Sequence, residues 1–413
     1  MTTRASSWNH NFWLPPGVVV GKLFRRPFYT FLLKVASRCN LDCDYCYIYH
    51  LADQSWKEQP RFMSEAVARD TAKRIADHVL QHQLSEVQVV FHGGEPLLAG
   101  PQRLRMFARI MQEAIPCKVE FGVQTNGILL DEEMLDTLLE FNSRIGISLD
   151  GNREANDRHR VYHDGRSSYD DVLRSFTLIQ SQPRWRSLFA GLLIVVDLEN
   201  DPDEVYKAVV SLAPPSLDLI LPDCHHDAPP PRPNDMEPQI AYGRWMSRVF
   251  ERWYQEQPGF DIRYFDEIIT LMLGAPSGLE TIGATSVDLI VIEANGDIEA
   301  VDTLKAVGRE AVQLGLNVHE HSFDDALEHP AIYSRMAGFE ALCEECKACP
   351  ELRNCGAGYL PHRYGLGRGF VNPSVYCEDL KYLFQIIRAR IQRDLLAAQQ
   401  FPAGAIAMEA VAE

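Results

Sequence analysis

The sequence predicts an α/β protein with a parallel sheet that curls into a partial (β/α)6 TIM-like barrel. Two observations carry this. Between Phe28 and Asp223, six apolar, β-branched runs alternate with segments of helical period, the pattern of strand, crossover helix and parallel strand. In addition, a tight cysteine loop directly follows the first of these strands, where barrel-type sheets carry their reactive loops.

The six strands expected are 28–36, 87–93, 119–125, 144–149, 188–196 and 217–221. The helices between them announce their starts through Ser64 before Glu65, Pro101 after Gly100, Asp131 before Glu132, and Ser168 with Asp171 three residues on. The run 201–212 supplies the fifth. Composition then changes at the proline-rich stretch 227–233, a stiff extended linker. A helix over 238–257 follows, with Trp245, Val249, Phe250 and Trp253 on one face, a core stripe. After a second helix over 266–273, the runs 287–293 and 298–301 flank Asn295-Gly296 and read as a β-hairpin. Residues 341–376 are rich in Cys and Gly with little periodicity, hence a loop structure organised by metal, and a basic amphipathic helix over 379–400 closes the fold. The division expected is an N-terminal segment 1–27, a barrel 28–235, a bridging region 236–300, a cysteine-bearing domain with its terminal helix 301–400, and a frayed tail 401–413.

Forty basic against 57 acidic residues give a net charge of −17, which argues against nucleic acid and anionic membrane as partners. Nowhere do about 18 uncharged apolar residues follow one another, so neither secretion nor membrane spanning is indicated and a cytoplasmic protein is expected. In a reducing compartment the ten cysteines read as metal ligands. Eight of them fall into two tight groups, and Cys117 and Cys224 stand apart as candidate buried small residues.

Cys39, Cys43 and Cys46 are separated by three and two residues. Three thiolates can hold three irons of a [4Fe–4S] cubane and leave the fourth open to the amino and carboxylate groups of a small molecule. The competing reading is a zinc knuckle, for which His50 is the available fourth ligand. After the second strand comes His92-Gly93-Gly94-Glu95-Pro96, where two glycines let a backbone approach what a Cβ would block; a tight turn into a helix is the plain alternative. Gln124-Thr125-Asn126-Gly127 ends the third strand. Ser148 and Asp150 end the fourth on one side of it, able to hold a ribose or a carboxylate. Asp157 and Arg160 follow, with Arg158 a possible substitute. His225, His226 and Asp227 alternate across an extended segment and read as a loop cluster rather than a metal set.

These motifs resemble the radical S-adenosylmethionine (SAM) family. The resemblance implies that Cys39, Cys43 and Cys46 hold the SAM-binding [4Fe–4S] cluster, that Tyr45 lies along the adenine, and that Gly93, Gly94 and Glu95 receive the methionine amino group. It implies further cofactor contacts from Asn126, Ser148 and Asp150, with Arg160 on the methionine carboxylate. Cys346, Cys349, Cys355 and Cys377 resemble the second auxiliary cluster of the SPASM (or twitch) extension found in peptide-modifying members. The two places that would complete a first auxiliary cluster are Val301 and Tyr359, so one auxiliary [4Fe–4S] cluster is expected, with Cys343 spare and zinc as the rival occupant. In members that oxidise a serine or cysteine of sulfatases, an aspartate after the hairpin cysteine takes a proton from the substrate; Asp302 occupies that place. Near low-dielectric clusters its proton affinity should be raised, and a surface turn is the alternative.

The longer resemblance, from Phe28 to Leu380, is to FxsB-type radical SAM/SPASM peptide maturases, on the segments 33–39, 92–100, 156–160, 288–293, 355–364 and 372–377. It implies a cytoplasmic enzyme that takes a precursor peptide and electrons from a low-potential flavodoxin or ferredoxin. Its 5′-deoxyadenosyl radical abstracts a side-chain Cβ hydrogen, and the carbon radical closes a cyclophane ring on an aromatic residue. Thioether or formylglycine formation by the same apparatus is the alternative within enzymes, and a non-catalytic iron–sulfur or zinc protein the alternative outside them.

Overall fold

Strand β1, Thr30–Ala36, carries Phe31, Leu32, Leu33 and Val35, and its residues from Phe31 onward are buried, as a central strand covered on both faces requires. Lys34 is buried with them. The computed structural model describes residues 12–18, 26–234 and 237–400. Successive parallel strands follow: β2 (Glu86–Gly93), β3 (Lys118–Thr125), β4 (Arg144–Ser148), β5 (Phe189–Val195) and β6 (Ser216–Ile220), with a two-residue β7 (Asp261–Ile262) beside β6. Helices Glu65–His82, Gly100–Ala114, Glu132–Glu140, Tyr169–Ser181 and Pro202–Leu212 make the crossovers.

The expected caps are made at Ser64, which accepts from the Val67 amide, at Asp131, which accepts from Met134, and at Asp201, which accepts from Asp203 and Glu204. Ser168 differs. Its hydroxyl donates to the Arg160 carbonyl at 2.6 Å and gives its helix no side-chain cap.

The hairpin is present as β8 (Leu289–Ile292) and β9 (Asp297–Glu299), but it is no separate unit. β8 pairs in parallel with β1, and β9 and β10 (Gln313–Asn317) continue antiparallel, so one open sheet runs β10-β9-β8-β1-β2-β3-β4-β5-β6-β7. The partial barrel expected is therefore found, as a mixed, unclosed sheet with a C-terminal extension. The pairing of β8 with β1 brings Asp302 beside the first strand.

Helix Ala241–Glu256 buries Trp245, Val249 and Phe250, and packs on the C-terminal helix Cys377–Gln400. The approach is close enough that a Cβ on Gly243 would stand 2.5 Å from the Asp379 carbonyl oxygen, while Asp379 takes the Gly243 amide at 2.9 Å and pairs with Arg232 of the proline-rich linker. The expected tail 401–413 lies outside the described residues. Among these, no helix is long and apolar enough to cross a membrane.

Candidate active site

The carboxyl ends of β1 to β6 open into one cavity of about 280 Å³. Cys39, Cys43 and Cys46 line it, as do Tyr45, Gly93, Gly94, Asn126, Ser148, Asp150 and Arg160. The sequence thus foresees most of one wall. The rest of the lining, Leu193, Val195, Ile220, Leu221, Asp223 and Thr303 among it, comes from the last strands and from the segment after the hairpin.

The cysteine loop is held from both sides. The Asp42 amide donates to the Val161 carbonyl at 2.9 Å, and His159 bridges Asp44 (2.8 Å) and Asp197 (3.2 Å). The hydrogen bond to Asp197, opposed by burial and helped by Asp44, lifts His159 to about 9. Burial drives the thiols the other way from ligand readiness: Cys39 is pushed up to about 12, Cys43 to about 11, and Cys46 is raised as well. Three buried thiols ionise together only when a cationic group compensates them, so the set suits a bound metal cluster. A single zinc ion fits less well. Tetrahedral Zn–S bonds of about 2.3 Å would draw the sulfurs to roughly 3.8 Å apart, whereas the only described group of three or more potential ligands within 4.8 Å of one another is His78, His82 and Asp324. His50, the fourth ligand a zinc knuckle would need, instead hydrogen-bonds Asp42 at 2.8 Å.

The histidine group has its own account. His78 Nε2 accepts the Phe28 amide at 3.0 Å, which leaves the proton on Nδ1, facing Asp324 at 3.3 Å. A protonated nitrogen has no lone pair for a metal.

Gly93 and Gly94 are required by the protein's own backbone. A Cβ would stand 2.0 Å from the Ala36 carbonyl oxygen at Gly93, and 2.6 Å from that of Arg38 at Gly94. The Gly94 and Glu95 amides donate to those same carbonyls, at 2.8 and 2.9 Å. The motif thus seats the cysteine loop on β2. Glu95, expected at the cofactor, is fully buried outside the cavity lining: its carboxylate accepts from Leu97 N (2.9 Å), Thr125 Oγ1 (2.7 Å) and Asn126 N (2.8 Å). It ties the end of β2 to the end of β3. Asn126 Nδ2 in turn reaches Asn40 Oδ1 at 2.8 Å and Cys39 Sγ at 3.8 Å.

Tyr45, Asp150 and Arg160 form one buried polar set. The Tyr45 hydroxyl donates to Asp150 Oδ2 at 2.6 Å and accepts from Arg160 at 2.9 Å, while Asp150 Oδ1 takes the Val195 amide at 3.2 Å. Burial works against the Arg160 charge, and Tyr45, Cys43 and Asp150 outweigh it. Its Nε has no partner among the described residues, so the guanidinium keeps a free donor beside the cavity, suited to an anion. Arg158 is no substitute: it is engaged by Glu199 (2.9 Å), Asn200 (3.2 Å) and Asp197 (3.3 Å). Ser148 accepts from Gln124 Nε2 at 3.1 Å, and Asp157 takes the Ser167 hydroxyl at 2.7 Å.

Asp302 is buried, as a site residue and not a surface turn would be, but its expected raised proton affinity is reversed. Burial alone would raise it; Lys34 at 2.5 Å, His92 at 3.9 Å and the Tyr47 hydroxyl at 2.7 Å hold the carboxyl well below the usual range. The expectation omitted Lys34, which meets Asp302 where β8 pairs with β1, a long-range pairing the sequence does not show. Asp223 was passed over. It follows β6 and lines the cavity, and burial with the Asp302 charge lifts it to about 8. The strand-end rule that selected Ser148 and Asp150 could have found it.

In the cysteine-rich region, Arg363 is buried and donates to the carbonyls of Gly356 (3.0 Å), Ala357 (3.1 Å) and Gly358 (2.5 Å), folding the segment that bears Cys355. Cys346, Cys349, Cys355 and Cys377 influence one another electrostatically. Cys343 stands next to them as a free thiol hydrogen-bonded to that of Cys346, which pulls it down to about 7. Val301 is buried, and the Tyr359 hydroxyl meets Thr303 Oγ1. Cys117 and Cys224 are half-buried rather than buried. His226 bonds the Pro373 carbonyl at 2.8 Å and Asp227 takes the Leu366 amide at 2.8 Å, so this cluster joins the barrel to the cysteine-rich region.

Residues 33–208 match the model of the radical SAM superfamily. The cysteine-type anaerobic sulfatase-maturating enzyme of Clostridium perfringens is 25% identical over 377 residues, covering 88% of this chain and 98% of the relative. The serine-type enzyme of Bacteroides thetaiotaomicron is 24% identical, covering 83% and 84%. Among solved structures, native anSMEcpe with bound AdoMet superposes with a TM-score of 0.75 at 23% identity over 88% of this chain and 98% of that one. Streptococcus suis SuiB bound to precursor peptide SuiA gives 0.56 at 13% identity over 85% and 76%. These full-length relatives overturn the FxsB-type assignment and, with it, cyclophane formation and ribosomal-peptide maturation. The segments that suggested it include cavity-lining residues such as Cys39, Gly93 and Arg160 and the cysteines of the C-terminal region, and motifs of that kind report the chemistry of a cofactor rather than the residue acted on. The superfamily match spans β1 to β5, whose carboxyl ends carry much of the cavity lining, so the likeness to radical SAM enzymes falls on the part of the chain that builds the site.

Proposed function

We propose that this chain oxidises a serine or cysteine side chain of a protein substrate to formylglycine, as a sulfatase-maturating radical SAM enzyme. The observation that carries the reading is likeness over more than four-fifths of the chain to both cysteine-type and serine-type maturating enzymes. A [4Fe–4S] cluster on Cys39, Cys43 and Cys46, with SAM on its open iron, would supply a 5′-deoxyadenosyl radical for hydrogen abstraction from the substrate Cβ. Arg160 would take the methionine carboxylate with its free donor, and Tyr45 and Asp150 hold that arginine in place. Asn126 fixes the loop of Cys39. The largely apolar wall of Leu193, Val195, Ile220 and Leu221 excludes water from the end where the peptide enters. Cys346, Cys349, Cys355 and Cys377, with Cys343 beside them, form the candidate auxiliary cluster site in a C-terminal domain 301–400. A low-potential flavodoxin or ferredoxin is the donor class this chemistry needs.

The test is anaerobic reconstitution with iron and sulfide, followed by SAM, dithionite and sulfatase-derived peptides bearing serine or cysteine. The expected result is 5′-deoxyadenosine together with a hydrazide-trappable aldehyde on the peptide. Nucleoside without aldehyde on either peptide overturns the substrate class, and no nucleoside overturns the reaction.

A further inference from the structure

A second cavity, of about 20 Å³, shares no lining residue with the first. Three segments wall it: the loop of Glu280 and Thr285, the helix Pro330–Met336 with Ser334 and Arg335, and the part of the cysteine-rich region that carries Tyr359 and Arg363. Tyr359 connects the two sites, because its hydroxyl meets Thr303 Oγ1 and Thr303 lines the first cavity.

The polar groups of this wall do not balance. Arg335 and Arg363 are each only 7% exposed, and Glu280 is the one carboxylate among the lining residues. Glu280 takes Arg335 Nη2 at 2.6 Å, and the Leu289 carbonyl stands 3.5 Å from Nη1. Arg335 Nε has no partner among the described residues. Arg363 uses Nε and Nη2 on the carbonyls of the Cys355 segment, which leaves its Nη1 without a hydrogen bond among the described residues. The hydroxyls are directed elsewhere: Ser334 donates to the Ala331 carbonyl at 3.0 Å, and Thr285 to those of Ser277 and Ile282 at 3.2 Å. Asp288 and the cysteine group act on the two arginines electrostatically, but from outside the lining. A buried guanidinium donor without an acceptor is costly, so the wall lacks one acceptor, and a negatively charged one suits it best.

We propose that this cavity holds a single halide-sized anion, bound between Arg335 and Arg363. Size selects the guest. A water-sized occupant needs about 10–15 Å³, so a cavity of about 20 Å³ takes one and leaves no room for a phosphate or a peptide carboxylate. Charge then selects chloride over water, since two cations face one carboxylate and N–H donors bond an anion more strongly than a neutral acceptor. The ion is a counter-ion that ties the three segments together beside Arg363, which folds the chain bearing Cys355. The inference is independent of the reaction proposed above.

The experiment uses the reconstituted full chain. Crystals soaked in bromide should show an anomalous peak in this cavity, within hydrogen-bond reach of Arg335 Nε and Arg363 Nη1. In solution at constant ionic strength, replacing gluconate by chloride should raise the melting temperature by about 2 °C, and the rise should saturate. Arg335→Lys keeps a cation for Glu280 but has no Nε donor, and it should raise the half-saturating chloride concentration about 10-fold. A cavity without an anomalous peak overturns the proposal, and so does an unchanged half-saturating concentration in Arg335→Lys. Equal melting temperatures in chloride and gluconate overturn it as well; beside a bromide peak they would mark an adventitious ion only. Should Arg335→Lys fail to fold, the bromide position and the chloride dependence of the wild type decide.

Discussion

Replacing Cys39, Cys43 and Cys46 together by alanine should abolish 5′-deoxyadenosine formation while the C-terminal site stays metallated. The three thiols share one loop and one cavity, and burial sets each of them against ionisation in the absence of a cation. Removing them takes away every protein ligand of the proposed cluster, so the effect is a loss rather than a decrease. At about four irons per cubane, the wild type should hold about eight irons per chain and the variant about four. Iron near twelve would require a third cluster in spite of Val301 and Tyr359, and zinc at the C-terminal site would make that site structural. Full SAM cleavage by the triple variant would refute the assignment of the loop.

The second large effect concerns stability. Lys34→Met leaves the buried Asp302 carboxylate without its cation, and breaking one side of a buried pair costs about 3–5 kcal/mol. Both side chains are buried and 2.5 Å apart, so solvent does little to soften the loss. The pH dependence changes sign with it. In the wild type the Asp302 carboxyl sits below its ordinary value, so its stabilisation is complete above the ordinary carboxylate range and is lost as pH falls through the depressed native value. In Lys34→Met burial is no longer opposed by that charge, the carboxyl moves upward, and the penalty at neutral pH should shrink in mild acid. Urea denaturation at the two pH values checks this. A variant as stable as the wild type at neutral pH would mean that Tyr47 and His92 suffice to hold the charge.

What could be read from the sequence follows the range of each interaction. The alternation of apolar runs with capped helices lies within tens of residues, and it foretold β1 to β6 and their crossovers. The strand-end rule pointed to Cys39, Asn126, Ser148 and Asp150, and family resemblance to Arg160; the structure brings all five to one cavity. The pairing of β8 with β1 was not legible, because it joins segments some 260 positions apart whose apolar pattern fits many partners. Lys34 and Asp302 meet only through that pairing, so the chemistry of Asp302 could not be foreseen. Glu95 carries a structural task that its motif did not announce: its carboxylate oxygens accept from Leu97, Thr125 and Asn126 and tie the end of β2 to the end of β3. The substrate was the least legible feature. The residues that would meet it, such as Leu193, Ile220 and Asp223, come singly from separate strands and form no motif.

Deuterium transfer from the peptide to the nucleoside tests the central claim most directly. With SAM, reductant and a sulfatase-derived peptide whose serine or cysteine carries deuterium only at Cβ, the account predicts deuterium in 5′-deoxyadenosine and an aldehyde that retains the other Cβ deuterium. Unlabelled 5′-deoxyadenosine alongside modified peptide, or label arriving only from a Cα-deuterated substrate, would contradict it.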